Sequence, residues 1–154
     1  KKIISKYNAK LHGYFFEDLK EGMKASYTKI INDADVKVFS NVSGDTNPLH
    51  LNNNFARDSL FKGKVVHGML TASLISTVIG TKLPGPGCIY IEQNLKFKAP
   101  VKIGDSVTAL CEIIGIISNQ HMIKMNTTCT VASRVVIAGE ATILVPKRTS
   151  VVGD

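Results

Sequence analysis

The chain has 154 residues, of which 44% are hydrophobic and 20% charged, and its formal net charge is +7. This composition excludes a disordered or fibrous protein, and the length predicts a single domain over 1–154 with its core at about 16–146. The basic residues are scattered without interleaved aromatic residues, so we expect no nucleic-acid groove. No stretch approaches the roughly 20 apolar residues of a membrane span, and we expect a cytoplasmic protein with no membrane partner.

The three cysteines, Cys88, Cys111 and Cys129, lie far apart in apolar segments that resemble strands. Zinc sites need ligands clustered at short spacing, so these residues do not predict a metal site. We expect reduced thiols in the core, as is usual for a cytoplasmic protein.

The first predicted elements are a strand at 23–30 and a helix that follows it. Asn32 is a suitable N-cap, and Asp35 three residues later completes a variant of the capping box. Apolar residues recur at three-residue spacing from Val36, and Gly44 stands where a helix often ends in a left-handed residue. The chain then enters a loop.

A second helix is predicted at 69–83, where no charged residue occurs before Lys82. A helix that is apolar or small on all sides is predicted to be buried all round. The rest of the chain is rich in Ile, Val and Thr and predicts strands separated by short turns, at 89–97, 106–116, 121–131 and 135–145. The sequence thus predicts an α+β fold, with an antiparallel sheet of about five strands wrapped around a central buried helix.

The loop between the two helices places Asp45 and His50 five positions apart. Pro48 restricts its own backbone and that of Asn47, so the path between the carboxylate and the imidazole is stiff. Such a loop is able to aim both side chains inward as an acid/base pair, although Asp and His are also common in turns. Asn47 either orients a catalytic residue or satisfies the backbone of the turn.

Gly68 stands at the first turn of the predicted buried helix, immediately after His67. Its amide is able to hold a carbonyl oxygen that becomes an oxyanion, because the first amides of a helix are unpaired and lie at the positive end of its dipole. The alternative is that Gly68 only permits close packing. His67 is interpreted as a cap or a packed core residue rather than a catalyst.

The two elements together supply a base for water, an acid and an oxyanion donor, which is what conjugate addition to an α,β-unsaturated thioester needs. At this point the sequence resembles MaoC-like (R)-specific enoyl-CoA hydratases from about Phe16 to Pro146. Three motifs carry the resemblance, in matching order and spacing: Asp45-x-Asn47-Pro48-x-His50, Val65-Val66-His67-Gly68-Met69, and Leu95-Lys96-Phe97-Lys98-Ala99-Pro100-Val101-x-x-Gly104-Asp105.

The resemblance implies a hotdog fold, a homodimer joined through sheet edges, and hydration of a trans-2-enoyl-CoA to the (R)-3-hydroxyacyl-CoA with neither metal nor other cofactor. It assigns the activation of water in a syn addition to Asp45 and His50, and the binding of the thioester carbonyl to Gly68. Ser76 matches a supporting serine of the family. Basic residues near the motifs are candidates for the coenzyme A phosphates, namely Lys62, Lys64, Lys96 and Lys98.

Three other functions stay open at the level of the sequence. The same loop occurs in 3-hydroxyacyl-[acyl-carrier-protein] dehydratases, so the carrier is not decided. A hotdog fold is also able to bind an acyl-CoA without reacting with it, although the presence of both Asp45 and His50 argues against a non-catalytic module. A thioesterase would typically use one carboxylate without this loop.

Overall fold

The computed structural model describes residues 11–148. Their regular elements are four helices and six strands: α1 (Asp33–Ser43), α2 (Pro48–Leu51), α3 (Asn53–Arg57) and α4 (Gly68–Thr81), with β1 (Lys24–Ile30), β2 (Ile89–Gln93), β3 (Lys96–Phe97), β4 (Ser106–Ile117), β5 (Met122–Val131) and β6 (Arg134–Leu144). Short 3-10 turns occur at Phe16–Asp18 and Ser118–Gln120.

The strands form one antiparallel sheet in the order β1-β4-β5-β6-β2, and β3 also pairs with β6. The predicted strand at 89–97 is divided into β2 and β3, so the sheet has six strands rather than about five. The division occurs at Asn94, whose side chain accepts a hydrogen bond from the Glu140 amide (3.1 Å) while its own amide donates to the Glu140 carbonyl (3.0 Å). Both parts therefore stay attached to β6.

Helix α4 lies against the sheet and supplies the centre of the core. Leu74, Ile75, Val78 and Ile79 are buried against the sheet, as the predicted α+β arrangement requires. The expectation of burial all round was wrong for the opposite face, where Met69 is 58% exposed and the serines and Gly80 are exposed, because no other element between residues 11 and 148 covers it. No described helix is long and apolar enough to cross a membrane.

Helix α1 begins and ends where its sequence predicts. The Asn32 side chain accepts a hydrogen bond from the Asp35 amide, and the Asp35 carboxylate accepts one from the Asn32 amide, each at 3.0 Å. Gly44 closes the helix with a φ of 79°, in the left-handed region that favours glycine. Val36 lies on the inner face of the helix and is buried. These local signals fix the position from which the next loop departs.

All three cysteines are free thiols, as predicted. Cys111 and Cys129 lie in the core, and burial raises the pKa of each of these thiols to about 12. Cys88 is half-buried, and burial raises its pKa as well. Because thiolates are the reactive form, all three side chains act as small apolar residues at neutral pH.

Candidate active site

The loop after α1 holds Asp45 through its own backbone. The Asp45 amide donates to the Ser43 hydroxyl at 3.1 Å, and the Asn47 amide donates to the Asp45 carboxylate at 3.2 Å. Asp45 is exposed to solvent in the single chain. The carboxylate is thus oriented by the turn while its remaining lone pairs stay free to accept a proton.

The second half of the loop is helical rather than irregular. Pro48 occupies the first turn of α2, and the Asn47 side chain caps that helix by accepting a hydrogen bond from the Leu49 amide at 3.0 Å. Of the two roles considered for Asn47, this contact corresponds to the one in which its side chain bonds to the backbone of the turn. One turn of helix then carries His50 back toward Asp45.

The imidazole of His50 is anchored by one nitrogen and free at the other. Its Nδ1 lies 2.7 Å from the carbonyl oxygen of Val65. A carbonyl only accepts, so Nδ1 carries a hydrogen and donates, and the neutral ring has its lone pair on Nε2. Nε2 is therefore free to exchange a proton with a bound molecule.

His67 is a packed core residue, as interpreted from the sequence, but it also belongs to the site, which sequence reasoning did not predict. Its side chain is 1% exposed and makes no cap hydrogen bond, although it is the N-cap residue of α4. Nε2 of His67 lies 3.0 Å from the backbone carbonyl of Asp45 and 3.1 Å from the hydroxyl of Ser40, and its ring centroid lies 3.8 Å from that of His50. One buried ring thus contacts both members of the predicted pair.

Asp45, His50 and His67 form one compact group, whose ligating atoms lie within 4.8 Å of one another. A carboxylate and two imidazoles at this separation suit proton transfer to and from a single water molecule. The same donor types also bind Zn²⁺, but one nitrogen of each ring is already used against a backbone carbonyl. The absence of a metal stays a prediction.

Gly68 is the first residue of α4, and its amide has no hydrogen-bond partner within residues 11–148. The ring of Phe97 lies over it, so that a Cβ added at Gly68 would stand 2.7 Å from Phe97 Cε1. The amide is open at the positive end of the helix dipole, where a carbonyl oxygen that gains negative charge would be stabilised. A larger residue here would force the Phe97 ring to move.

His50 and Gly68 line the same cavity, which has a volume of about 440 Å³. Its other walls are mainly apolar, and they include Leu49, Phe61, Val66, Phe97 and Ile137. A chamber of this size and polarity fits a short acyl chain, with the polar atoms of His50 and Gly68 at its wall.

Ser76 is not brought to the pair within one chain. It lies on the exposed face of α4, and it is absent from the cavity wall. At about 1.5 Å per residue, it stands about 12 Å along the helix axis from Gly68. Its supporting role stays a prediction.

The four lysines considered for phosphate binding differ in their surroundings. Lys98 lines the cavity, whereas Lys64 is paired with Asp33. Hydrogen bonds from Lys37 and then Lys64 lower the pKa of the Asp33 carboxyl to about 2. Lys64 is therefore committed to a structural contact, and Lys98 is the better placed of these two to bind an anion at the cavity mouth.

Comparison with known proteins gives consistent matches over most of the chain. A family model described as MaoC like domain matches residues 15–135. An (R)-specific enoyl-CoA hydratase of Rhodospirillum rubrum is 52% identical over 88% of this chain and 94% of the relative. A 3-hydroxybutyryl-CoA dehydratase of Methylorubrum extorquens is 44% identical over 87% of this chain and 85% of the relative.

The fold is also similar to that of solved hydratases. The R-hydratase PhaJ1 of Pseudomonas aeruginosa, solved in the unliganded form, superposes with a TM-score of 0.84 and 38% identity, covering 90% of this chain and 89% of that one. The expected hotdog fold is confirmed by this likeness together with the antiparallel sheet around α4.

Proposed function

This chain belongs to the MaoC-like domain family, and we propose that it is an (R)-specific enoyl-CoA hydratase, a hydro-lyase that adds water to trans-2-enoyl-CoA. The observation that carries the proposal is the grouping of Asp45 and His50 beside a cavity that also presents the Gly68 amide. The names of the two relatives, at 52% and 44% identity, support the same reaction class.

In the proposed reaction a water molecule is bound between the Asp45 carboxylate and Nε2 of His50. Asp45 takes one proton as the water oxygen bonds to C3, and the electron pair of the double bond moves toward the thioester oxygen. That proton then passes from Asp45 to the free Nε2 of His50, which delivers it to C2, so that both groups return to their starting states. Each proton step contributes roughly 10²–10⁴-fold.

The Gly68 amide stabilises the thioester oxygen as it gains negative charge. A single donor of this kind contributes about 10²–10³-fold to kcat in enzymes where it has been removed by mutation. Phe97 packs against Gly68 and narrows the approach to its amide. Asn47 supports the site by capping α2, and Ser76 is proposed as a supporting residue in the assembled enzyme.

All steps are proton transfers and carbon–oxygen bond formation, so the proposal needs no cofactor beyond the coenzyme A of the substrate. Lys98 at the cavity wall favours a phosphate-bearing carrier. An acyl-carrier-protein thioester is the alternative substrate, because its pantetheine arm would enter the same cavity. A single domain over 1–154 and a cytoplasmic location stay predictions from the sequence.

We also propose that two copies join through the edge strand β2. Ile89 and Ile91 on this strand are 52% and 50% exposed, whereas the outward residues of the other edge strand, β1, are mainly polar. An open, apolar sheet edge presents unpaired N–H and C=O groups that are able to pair with another strand. A second copy would extend the sheet and also cover the exposed face of α4.

The test follows the ultraviolet absorbance of crotonyl-CoA with the wild-type protein and Asp45→Asn side by side, with chiral analysis of the product. We expect loss of the enoyl signal, an (R)-3-hydroxy product, and a fall in turnover of at least about 10²-fold in the variant. Absence of turnover on crotonyl-CoA and on longer enoyl-CoAs would refute the hydratase and favour a binding module. Release of free thiol would instead identify a thioesterase.

A further inference from the structure

Thr71 has a buried hydroxyl that the structure leaves without a partner. Its side chain is 1% exposed and lines the cavity shared by His50 and Gly68. Within residues 11–148, two buried side-chain polar atoms make no hydrogen bond: Oγ1 of Thr71 and Nδ1 of His67. They do not bond to each other either. Burying a hydroxyl without a partner costs stability, so a ligand that supplies the partner would offset this cost.

The other hydroxyls of α4 indicate what a merely structural residue does here. Those of Ser73, Thr77 and Thr81 bond back to carbonyls of the preceding turn, at 2.6, 3.3 and 2.6 Å, and that of Ser76 is exposed to solvent. Thr71 makes no such bond, and the carbonyl of His67 one turn before it already accepts from the Thr71 amide at 3.1 Å. A hydroxyl within a helix usually bonds back to the preceding turn or faces solvent, so a buried hydroxyl that does neither marks Thr71 as different.

The place of Thr71 on the helix brings its side chain toward Gly68. Residues three apart share a helix face, and a helical side chain leans toward the N-terminus of its helix. Gly68 has no side chain to fill the space between them, and Phe97 closes this space from the other side. An oxygen atom bound by the Gly68 amide would therefore lie next to the Thr71 side chain.

We propose that the Thr71 hydroxyl donates a hydrogen bond to the thioester carbonyl oxygen of the substrate, beside the Gly68 amide. This inference rests on the proposed function. As water adds to C3 and the electron pair moves to the thioester oxygen, two donors share the negative charge instead of one. Thr71 keeps its own proton throughout, and C2 still receives its proton from His50.

The first test compares Thr71→Val, which keeps the shape and removes the hydroxyl, with Thr71→Ser, which restores it. We expect Thr71→Val to lower kcat on crotonyl-CoA by about 10- to 100-fold, and Thr71→Ser to recover most of the loss. Thr77→Val makes the same chemical change on the same helix outside the cavity wall, and its kcat should stay within about twofold of the wild type. Equal kcat values for wild type and Thr71→Val would overturn the proposal.

The unfolding temperature of Thr71→Val distinguishes the proposed role from a structural one. Because the hydroxyl has no protein partner, Thr71→Val should unfold at the same temperature as the wild type or at a higher one. A lower unfolding temperature in Thr71→Val, without recovery of kcat in Thr71→Ser, would mean that Thr71 serves packing.

The second test detects the hydrogen bond without requiring turnover. The infrared band of the carbonyl is recorded for bound butyryl-CoA, a saturated thioester labelled isotopically at that carbonyl. We expect a lower stretching frequency in wild type and Thr71→Ser than in Thr71→Val, and identical frequencies would overturn the proposal. If no enoyl-CoA is hydrated but the band still shifts, the hydratase proposal fails while the Thr71 contact stands.

Discussion

His67 connects the residues of the site through its buried ring. Its Nε2 lies within hydrogen-bond distance of the Asp45 carbonyl and the Ser40 hydroxyl, and its ring lies 3.8 Å from that of His50. A carbonyl only accepts, so Nε2 carries the hydrogen. The ring therefore ties the loop that bears Asp45 to α1, and it limits the orientations of His50.

Replacing His67 by leucine should lower kcat on crotonyl-CoA by about 10- to 100-fold, because small displacements of catalytic groups are costly. His67→Gln should recover much of the loss, since the amide of glutamine is able to replace the Nε2–H donor. Ser40→Ala removes one of the two contacts and should have a smaller effect. A kcat for His67→Leu equal to that of the wild type would contradict the positioning role.

Among the residues of the site, the sequence predicted those whose positions depend on their near neighbours in the chain. Asp45 and His50 lie near each other because Pro48 and the Asn47 cap shape the short path between them. His67 was not predicted, because its contact with Ser40 spans 27 positions and arises only when α1 packs beside the start of α4. No spacing pattern in the chain reports such a contact.

Among the elements, α1 is attached to the segment before α4 by the pair of Asp33 and Lys64. The pKa of Asp33 is lowered from 3.8 to about 2 by hydrogen bonds from Lys37 and Lys64. A lowered carboxyl pKa means that this pairing stabilises the fold fully above pH 3.8, and that the contribution is lost as the pH falls through about 2.

Asp33→Asn should therefore unfold at a lower temperature than the wild type at neutral pH, with the difference closing as the pH is lowered from about 4 toward 2. Thermal unfolding across this range measures it. Asp58→Asn is the control, because Asp58 is an exposed carboxylate whose one ion pair among residues 11–148 is with its neighbour Arg57, at 3.6 Å. A difference for Asp33→Asn that is the same at every pH would show that the charge of Asp33 does not stabilise α1.

The ends of the elements differ in how well the sequence predicts them. The bounds of α1 follow from Asn32, Asp35 and Gly44, which act on their own neighbours. The break between β2 and β3 was missed because it depends on the pairing of Asn94 with Glu140, 46 positions away. Local capping chemistry is visible in a sequence, whereas a sheet irregularity belongs to two strands at once.

For the whole molecule, the proposed second copy of the chain would account for both the exposed face of α4 and the apolar edge at β2. The composition of α4 predicted burial all round, yet Met69 is 58% exposed and Ser76 is exposed. A sequence records burial in the functional assembly, so the prediction was wrong for one chain but would be met in a dimer.

The proposed dimer is tested at the β2 edge with two matched variants. Ile91 of β2 and Ile114 of β4 are 50% and 46% exposed, and each stands at an irregularity of the strand register. Ile91→Lys places a charge at the open edge and should give a particle of the single-chain mass, 16.7 kDa, by light scattering. Ile114→Lys changes an interior strand in the same way and should leave twice that mass.

If the site needs the second copy, Ile91→Lys should also lose hydration of crotonyl-CoA, with restoration at high protein concentration as the dimer reforms. Dimers of Ile91→Lys as stable as those of the wild type would place the interface elsewhere on the molecule.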